Sequence, residues 1–255
     1  MIVAATDNNI NEIKSFCKGS MLGTRIICLC ECYGFSYDFF KVYLLYDDSD
    51  VLSGVFSSFY GSITVIGNEQ TEIDEIFTFL NFAGYSSITV DCALIEGVEP
   101  GSYETKNVYR FSNSSEYETA ETAEEADYKK AYTLISESIP GSFANTKDAY
   151  FSWLSDFTFR KHRGFARMKC VKLNGELVSC AMTAAECEYS AIISGVACVS
   201  VKRKSGAGKS VVLTLSNELK NENKDVYVIA LNSSAEGFYE HIGFEKCGTV
   251  AILER

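Results

Sequence analysis

The sequence predicts a mixed α/β protein made of two halves. Three observations predict it: apolar runs of strand length and of helix length intersperse along the chain, an Asn174-Gly175 pair joins two of the strand runs, and a polar, acidic stretch at 100–126 separates two segments of domain size. The 255 residues, 47% apolar and 22% charged, suffice for two cores of ordinary size. No run approaches the ~18 apolar residues of a membrane span, and the N-terminus lacks the basic flank and apolar segment of a signal peptide. A cytoplasmic protein without membrane attachment is expected.

In the first half, Lys41 to Tyr46 and Val51 to Tyr60 read as a hairpin around an Asp-Asp-Ser-Asp turn. Ser62 to Ile66 adds a strand, Ile73 to Phe82 has helical spacing, and Ser86 to Asp91 returns to strand. The stretch 100–126, with one of the two prolines and many small polar and acidic residues, reads as a linker. After it, Ala123 to Ser138 and Ala149 to Arg160 read as helices, the second rich in aromatics. Ala166 to Leu173 and Leu177 to Ala184 form a hairpin, because Asn-Gly supplies the positive φ angles of a tight turn. Ala191 to Val201 is apolar enough for a strand buried on both faces. A helix from Lys209 carries Val211, Val212, Leu215 and Leu219 on one face, followed by a strand (Val226 to Leu231), a short helix (Ser234 to His241) and a last strand (Thr249 to Leu253).

Charge and cysteine usage restrict the chemistry. A net charge of −11 repels phosphate backbones, so nucleic acid is not expected as a partner, although a local basic cluster can grip one small anion. The ten cysteines lack the compact framework of a small secreted fold and read as reduced. Cys28, Cys30 and Cys32 alternate in a way that suits zinc poorly, with His162 and His241 far off in sequence, and no metal is expected.

The basic cluster is the stretch Val201 to Ser210, VKRKSGAGKS, between the buried strand and the Val211 helix. Its end imitates a nucleotide-binding P-loop, but that signature needs a glycine at position 203, where an arginine stands. Arg203 to Gly208 instead fits Arg/Gln-x-x-Gly-x-Gly. Glycines there admit close approach of a ligand to the backbone, and the first turn of the following helix offers unpaired N–H groups at the positive end of its dipole. That environment suits a pyrophosphate; the bland reading is a tight turn with solvated lysines.

Asn232 stands at the end of the next strand, and the spacing from it is six residues to Tyr239 and three more to Gly243-Phe244. With the glycine loop, and in this order of elements, residues 117–255 resemble the GCN5-related N-acetyltransferase (GNAT) superfamily. The resemblance implies an acyl-CoA N-acyltransferase fold in tandem: a GNAT domain over 114–255 and a degenerate GNAT-like domain over 1–113. In the first half, Gly67 to Glu72 is acidic where the second half is basic, so no cofactor loop is expected there. As a whole the chain resembles the two-part GNAT-domain proteins of clostridial-type bacteria.

The same resemblance implies acetyl-CoA as co-substrate and an amine-bearing small molecule or peptide as acceptor, with the protein a monomer or homodimer. Arg203, Lys204, Ser205, Gly206, Ala207, Gly208 and Lys209 would hold the pyrophosphate, their backbone amides doing most of it. Val196, Ala197 and Cys198 would pair with the pantetheine arm, Asn232 would lie beside it, and Tyr239 would protonate the departing thiolate. A packed aromatic is the structural alternative for Tyr239, and strand packing for the Cys198 side chain. No general base is evident: a Glu found on the fifth strand of some relatives is Tyr227 here, and Glu186 and Glu188 are weak candidates. His162 reads as a helix C-cap and His241 as a solvated residue. A non-catalytic acyl-CoA-binding module is the competing function; an aminoacyl-tRNA-dependent transferase fits the acidic charge less well.

Overall fold

The computed structural model describes residues 1–97, 102–113, 116–139, 141 and 143–254. The elements run β1 (Ile2–Ala4), α1 (Ile10–Cys17), α2 (Met21–Tyr33), β2 (Phe40–Tyr46), β3 (Leu52–Phe59), β4 (Ser62–Gly67), α3 (Ile73–Ala83), β5 (Ser87–Asp91) and β6 (Glu104–Phe111). They continue with β7 (Glu121–Thr122), α4 (Glu125–Ser138), α5 (Lys147–His162), β8 (Met168–Leu173), β9 (Glu176–Glu186), β10 (Ser190–Cys198), α6 (Ala207–Asn221), β11 (Asp225–Ala230), α7 (Ser233–His241) and β12 (Phe244–Glu254). Contacts divide them into two compact units: Met1–Tyr109 with Ile229–Glu236 and the chain from Lys246, and Arg110–Val228 with Gly237–Glu245.

In the first unit the sheet order is β1-β2-β3-β4-β5-β12, with β6 on the far side of β12. Only β4 and β5 pair in parallel here among the registers β1 to β5; β12 runs antiparallel to β5, from Val250 opposite Asp91 to Glu254 opposite Ser87. Ala251 and Leu253 thereby join Phe56, Ile76, Ile88 and Val90 in one core. Helices α1 and α2 meet at Gly23, where a Cβ would fall 2.0 Å from the Cys17 carbonyl oxygen, so no other residue fits that crossing.

The second unit orders its strands β11-β10-β9-β8-β7. Asn174 and Gly175 turn β8 into β9 with φ of 53° and 81°, the conformation the sequence predicts. Helices α4 and α5 supply Tyr128, Ala131, Ile135 and Phe157 to a core shared with Met168, Cys180 and Ala197 of the strands. Thr146 caps α5 by accepting a hydrogen bond from the Ala149 amide.

Two expectations need correction. The stretch 100–126 is no continuous linker: β6 and the short β7 lie within it, with Val108, Tyr109 and Phe111 buried. The polar flanks Glu104 to Asn107 mask a strand whose stability comes from its sheet neighbours. Residues 10–33, which the sequence reading leaves unassigned, form α1 and α2, so Cys28 and Cys32 share one face of a helix while Cys30 lies on the opposite one. None of the ten cysteines forms a disulfide, and among the described residues no group of His, Cys, Asp and Glu is disposed to hold a metal ion. No described helix is long and apolar enough to cross a membrane.

One charged network closes an end of the second sheet. Glu186, at the end of β9, is fully buried. It accepts from Arg167 Nε (3.0 Å) and Nη2 (2.8 Å), from the Thr183 hydroxyl (2.7 Å) and from Lys224 Nζ (3.3 Å). Arg167 also grips Glu222 (2.7 Å), just past α6, and that hydrogen bond is the main reason the Glu222 pKa is lowered from 4.5 to about 2.

These contacts generate three expected outcomes. Arg167→Met leaves the buried Glu186 carboxylate with Lys224 and Thr183 alone, and should cost about 3–5 kcal/mol in urea unfolding. A loss below about 0.5 kcal/mol would mean the network does not hold the sheet. Because the folded-state pKa of Glu222 is depressed, its contribution is present above pH 4.5 and is lost as pH falls from 4.5 through about 2; Glu222→Gln should flatten that acid limb of the stability profile. Leu253→Ala should cost about 2–5 kcal/mol and remove hydrogen-exchange protection from β4 and β5, over a hundred and fifty residues away in sequence, where a merely peripheral C-terminal strand would leave it untouched.

Candidate functional site

Strands β10 and β11 separate partway along. Their parallel pairing covers only Ser190 to Ile193 against Asp225 to Val228, while β10 runs on to Cys198. Its other edge stays on β9, with Ala197 opposite Cys180 and Cys198 opposite Ser179, after a bulge between Ser194 and Ala197. The Ser179 hydroxyl donates to the Ala197 carbonyl at 2.8 Å. Gly195 lies in the bulge with φ +59°, a left-handed value that favours glycine, and a Cβ there would stand 2.9 Å from Cδ1 at the tip of the Ile135 side chain of α4. From 195 to 198, then, one edge of the strand is held and the edge toward β11 has no strand partner in register. Val196 and Cys198 are half-buried and Ala197 is buried.

Beyond it a single 3-10 turn (Ser200–Lys202) leads into an exposed loop, 203–206, and α6. Lys204 and Gly206 take left-handed φ values of 64° and 91°. The amides of Lys202, Arg203 and Ser205 bond back to Val199, Ser200 and Lys202. Ala207, Gly208 and Lys209 precede the first bond of the α6 ladder, which Ser210 makes to Gly206 at 2.9 Å, so three N–H groups in a row face outward at the positive end of the helix. A Cβ on Gly208 would meet only Phe238 of α7, at 3.9 Å.

The remaining sequence-derived residues fall as follows. Tyr239 is 7% exposed on α7, packed against Phe238 and Phe244, and its hydroxyl has no hydrogen-bond partner among the described residues. Burial alone pushes its pKa well above the ordinary phenol value. Asn232 is exposed; its Oδ1 accepts from the Ala235 amide at 3.0 Å, which caps α7, and by contact it belongs to the first unit. Burial raises the Cys198 thiol pKa, against smaller lowering effects of Ser179 and Arg203. Glu186 is withdrawn as a base, locked by Arg167, Thr183 and Lys224, while Glu188 is exposed in the β9–β10 turn. Tyr227 is buried. His162 closes α5 with Arg160 and Lys161 in its last turn and lines a cleft of about 500 Å³ with Glu125, Tyr128 and Phe151. None of the β10 or loop residues lines that cleft. Sequence reasoning missed Gly195, Ser179 and Phe238; a glycine inside a strand run was the only signal available for them.

The corresponding loop of the first unit is shut. Thr71 Oγ1 accepts from the Asn68 amide (2.7 Å) and donates to the Ser53 carbonyl (2.6 Å), while Asn68 takes the amides of Gln70 and Thr71. A Cβ on Gly67 would lie 2.2 Å from Thr71 Oγ1. Strand β4 extends only two residues beyond its last β5 partner, Val65.

The FR47-like protein family model matches residues 173–252, from the end of β8 through most of β12. No curated protein matches the chain by sequence. Among solved structures it is similar to an acetyltransferase of the GNAT family from Colwellia psychrerythraea (12% identity, all of both chains covered, TM-score 0.59). It is also similar to a tandem GNAT protein from the clavulanic acid biosynthesis pathway (9% identity, 100% of this chain and 98% of that one, TM-score 0.65). A GCN5-related N-acetyltransferase from Sphaerobacter thermophilus compares likewise (11% identity, 100% and 95%, TM-score 0.64). At these identities the likeness speaks for architecture, and it spans the chain from end to end: the protein has the GNAT fold, in the tandem form.

Proposed function

We propose that the second unit is an N-acyltransferase that binds acetyl-CoA and delivers the acetyl group to a primary amine. The observation that carries this is the early end of the β10–β11 ladder, followed through one short loop by the three outward-facing amides that open α6. A strand edge with unused N–H and C=O groups suits the amides of a pantetheine arm, as an added strand suits a sheet edge. The first turn of α6 suits a diphosphate, through its amides and the positive end of the helix dipole. When bound, acetyl-CoA supplies an activated acyl group that an uncharged amine attacks directly.

The chain's own residues then have limited tasks. Ala207, Gly208 and Lys209 bind anionic oxygen through the backbone, and the missing side chain at Gly208 leaves the approach open. A backbone N–H near Cys198 is the donor for negative charge developing on the acyl oxygen. Tyr239 keeps its proton at Oη through neutral and mildly alkaline pH because burial disfavours the phenolate, which suits a proton donor and excludes a base. With Glu186 tied up, the amine proton leaves through water. The burial of Tyr239 equally favours a second reading, an acyl-CoA-binding module without catalysis.

Thiol release from acetyl-CoA with a panel of amines tests the pair of readings, and two variants sharpen it. Gly208→Val should fold normally, since the added side chain finds room, yet bind acetyl-CoA about tenfold or more weakly by calorimetry, as one or two charge-assisted amide bonds are lost. Unchanged affinity would remove the loop from the site. Tyr239→Phe should keep binding and lower kcat about 10²- to 10⁴-fold; a drop under threefold makes Tyr239 a packing residue and leaves the binding module standing.

A further inference from the structure

Ser179 is fully buried on β9, directly opposite Cys198, and its hydroxyl donates to the Ala197 carbonyl at 2.8 Å. Which side of β10 that carbonyl faces follows from the ladder. The Val199 amide donates to the Val178 carbonyl, so the polar backbone groups of Val199 point at β9. Alternation along a strand sends those of Ala197 the same way and those of Cys198 to the other edge, where β11 has no residue in register. The Ala197 carbonyl and the Cys198 N–H belong to one trans peptide group, which turns its acceptor to β9 and its donor to the open edge.

By the same alternation Ala197 and Cys180 form a hydrogen-bonded pair, so the serine hydroxyl is a second donor on a carbonyl that the ladder already engages. Alanine at 179 would leave that carbonyl paired and would spare the burial of a hydroxyl. What the hydroxyl adds is electronic. Hydrogen bonds in series polarise one another, by about 10–30% per bond, and electron density drawn through the Ala197 oxygen leaves the Cys198 N–H a stronger donor.

Resting on the reading of the second unit as an acetyl-CoA-dependent N-acyltransferase, we propose that Ser179 is a positioning residue for acyl transfer. Through the Ala197–Cys198 peptide it strengthens the N–H that meets negative charge developing on the acyl oxygen. Losing an oxyanion donor outright costs about 10²- to 10³-fold in rate, and 10–30% of that free energy corresponds to about a two- to eightfold effect.

Ser179→Ala and Ser179→Thr in the full chain test this. Without ligand, the amide nitrogen resonance of Cys198 should move upfield in Ser179→Ala and return in Ser179→Thr, which keeps the hydroxyl. With acetyl-CoA and an amine that wild type accepts, the single-turnover rate of acyl transfer should fall about two- to eightfold in Ser179→Ala and recover in Ser179→Thr, while the Kd for acetyl-CoA stays at its wild-type value. An unmoved Cys198 resonance, an unchanged rate, or an affinity that falls in step with the rate overturns the role and leaves the acyltransferase reading standing. Failure of wild type to bind acetyl-CoA, or to release thiol with any amine, overturns that reading and the role with it, even where the resonance moves.

Discussion

The parallel ladder between β10 and β11 stops at Ile193 and Val228 although β10 continues for five more residues, and every feature of the candidate site depends on that stop. Leaving backbone polar groups unpaired inside a sheet is costly, so the separation needs structural causes. The bulge between Ser194 and Ala197 re-aims the strand, and Gly195 accepts the left-handed φ there without strain. Strand β9 holds the opposite edge, reinforced by the Ser179 hydroxyl on the Ala197 carbonyl. The edge that opens is thus presented by a strand firmly anchored on its other side.

The other end of the same strands is clamped. Glu186 ends β9 opposite Ala191, where β10 begins, and Arg167 and Lys224 converge on it from β8 and from the start of β11. A buried carboxylate held by a bidentate guanidinium, a hydroxyl and an ammonium fixes the register there, because any slip would leave a charge unanswered in a dry site. Clamping one end while bulging the other is what makes the gap a feature of the fold.

The two halves show how little separates an open loop from a closed one. In the first unit, Asn68 and Thr71 supply the hydrogen bonds to the loop amides internally, and the short overhang of β4 presents no comparable edge. In the second, glycines at 206 and 208 offer no side chain to do so, and the amides of Ala207, Gly208 and Lys209 stay outside the α6 ladder. The first unit also depends on the chain's last strand, which fills its core with Ala251 and Leu253. Two halves of similar plan have therefore diverged, one keeping the loop geometry that an anion needs and both remaining tied through one chain.

The local sequence was enough for what depends on local chemistry. Asn174-Gly175 dictated a tight turn because both positions need positive φ; the apolar period of Val211, Val212, Leu215 and Leu219 dictated α6; and the glycines of 206 and 208 marked the loop between strand and helix. The family pattern from Arg203 to Phe244 pointed to the GNAT fold that the structure has. What depends on partners distant in sequence was decided by the tertiary structure. Strand β6 hides in a polar stretch because its buried face, Val108, Tyr109 and Phe111, has meaning only beside neighbouring strands. Glu186 is no more than a weak base candidate by sequence, and only folding brings Arg167 and Lys224 to it, as it brings Phe244 against Tyr239. Periodicity and turn residues act within a few positions along the chain, whereas the end of a ladder, the burial of a hydroxyl and the pairing of a carboxylate are set by what folding carries next to them.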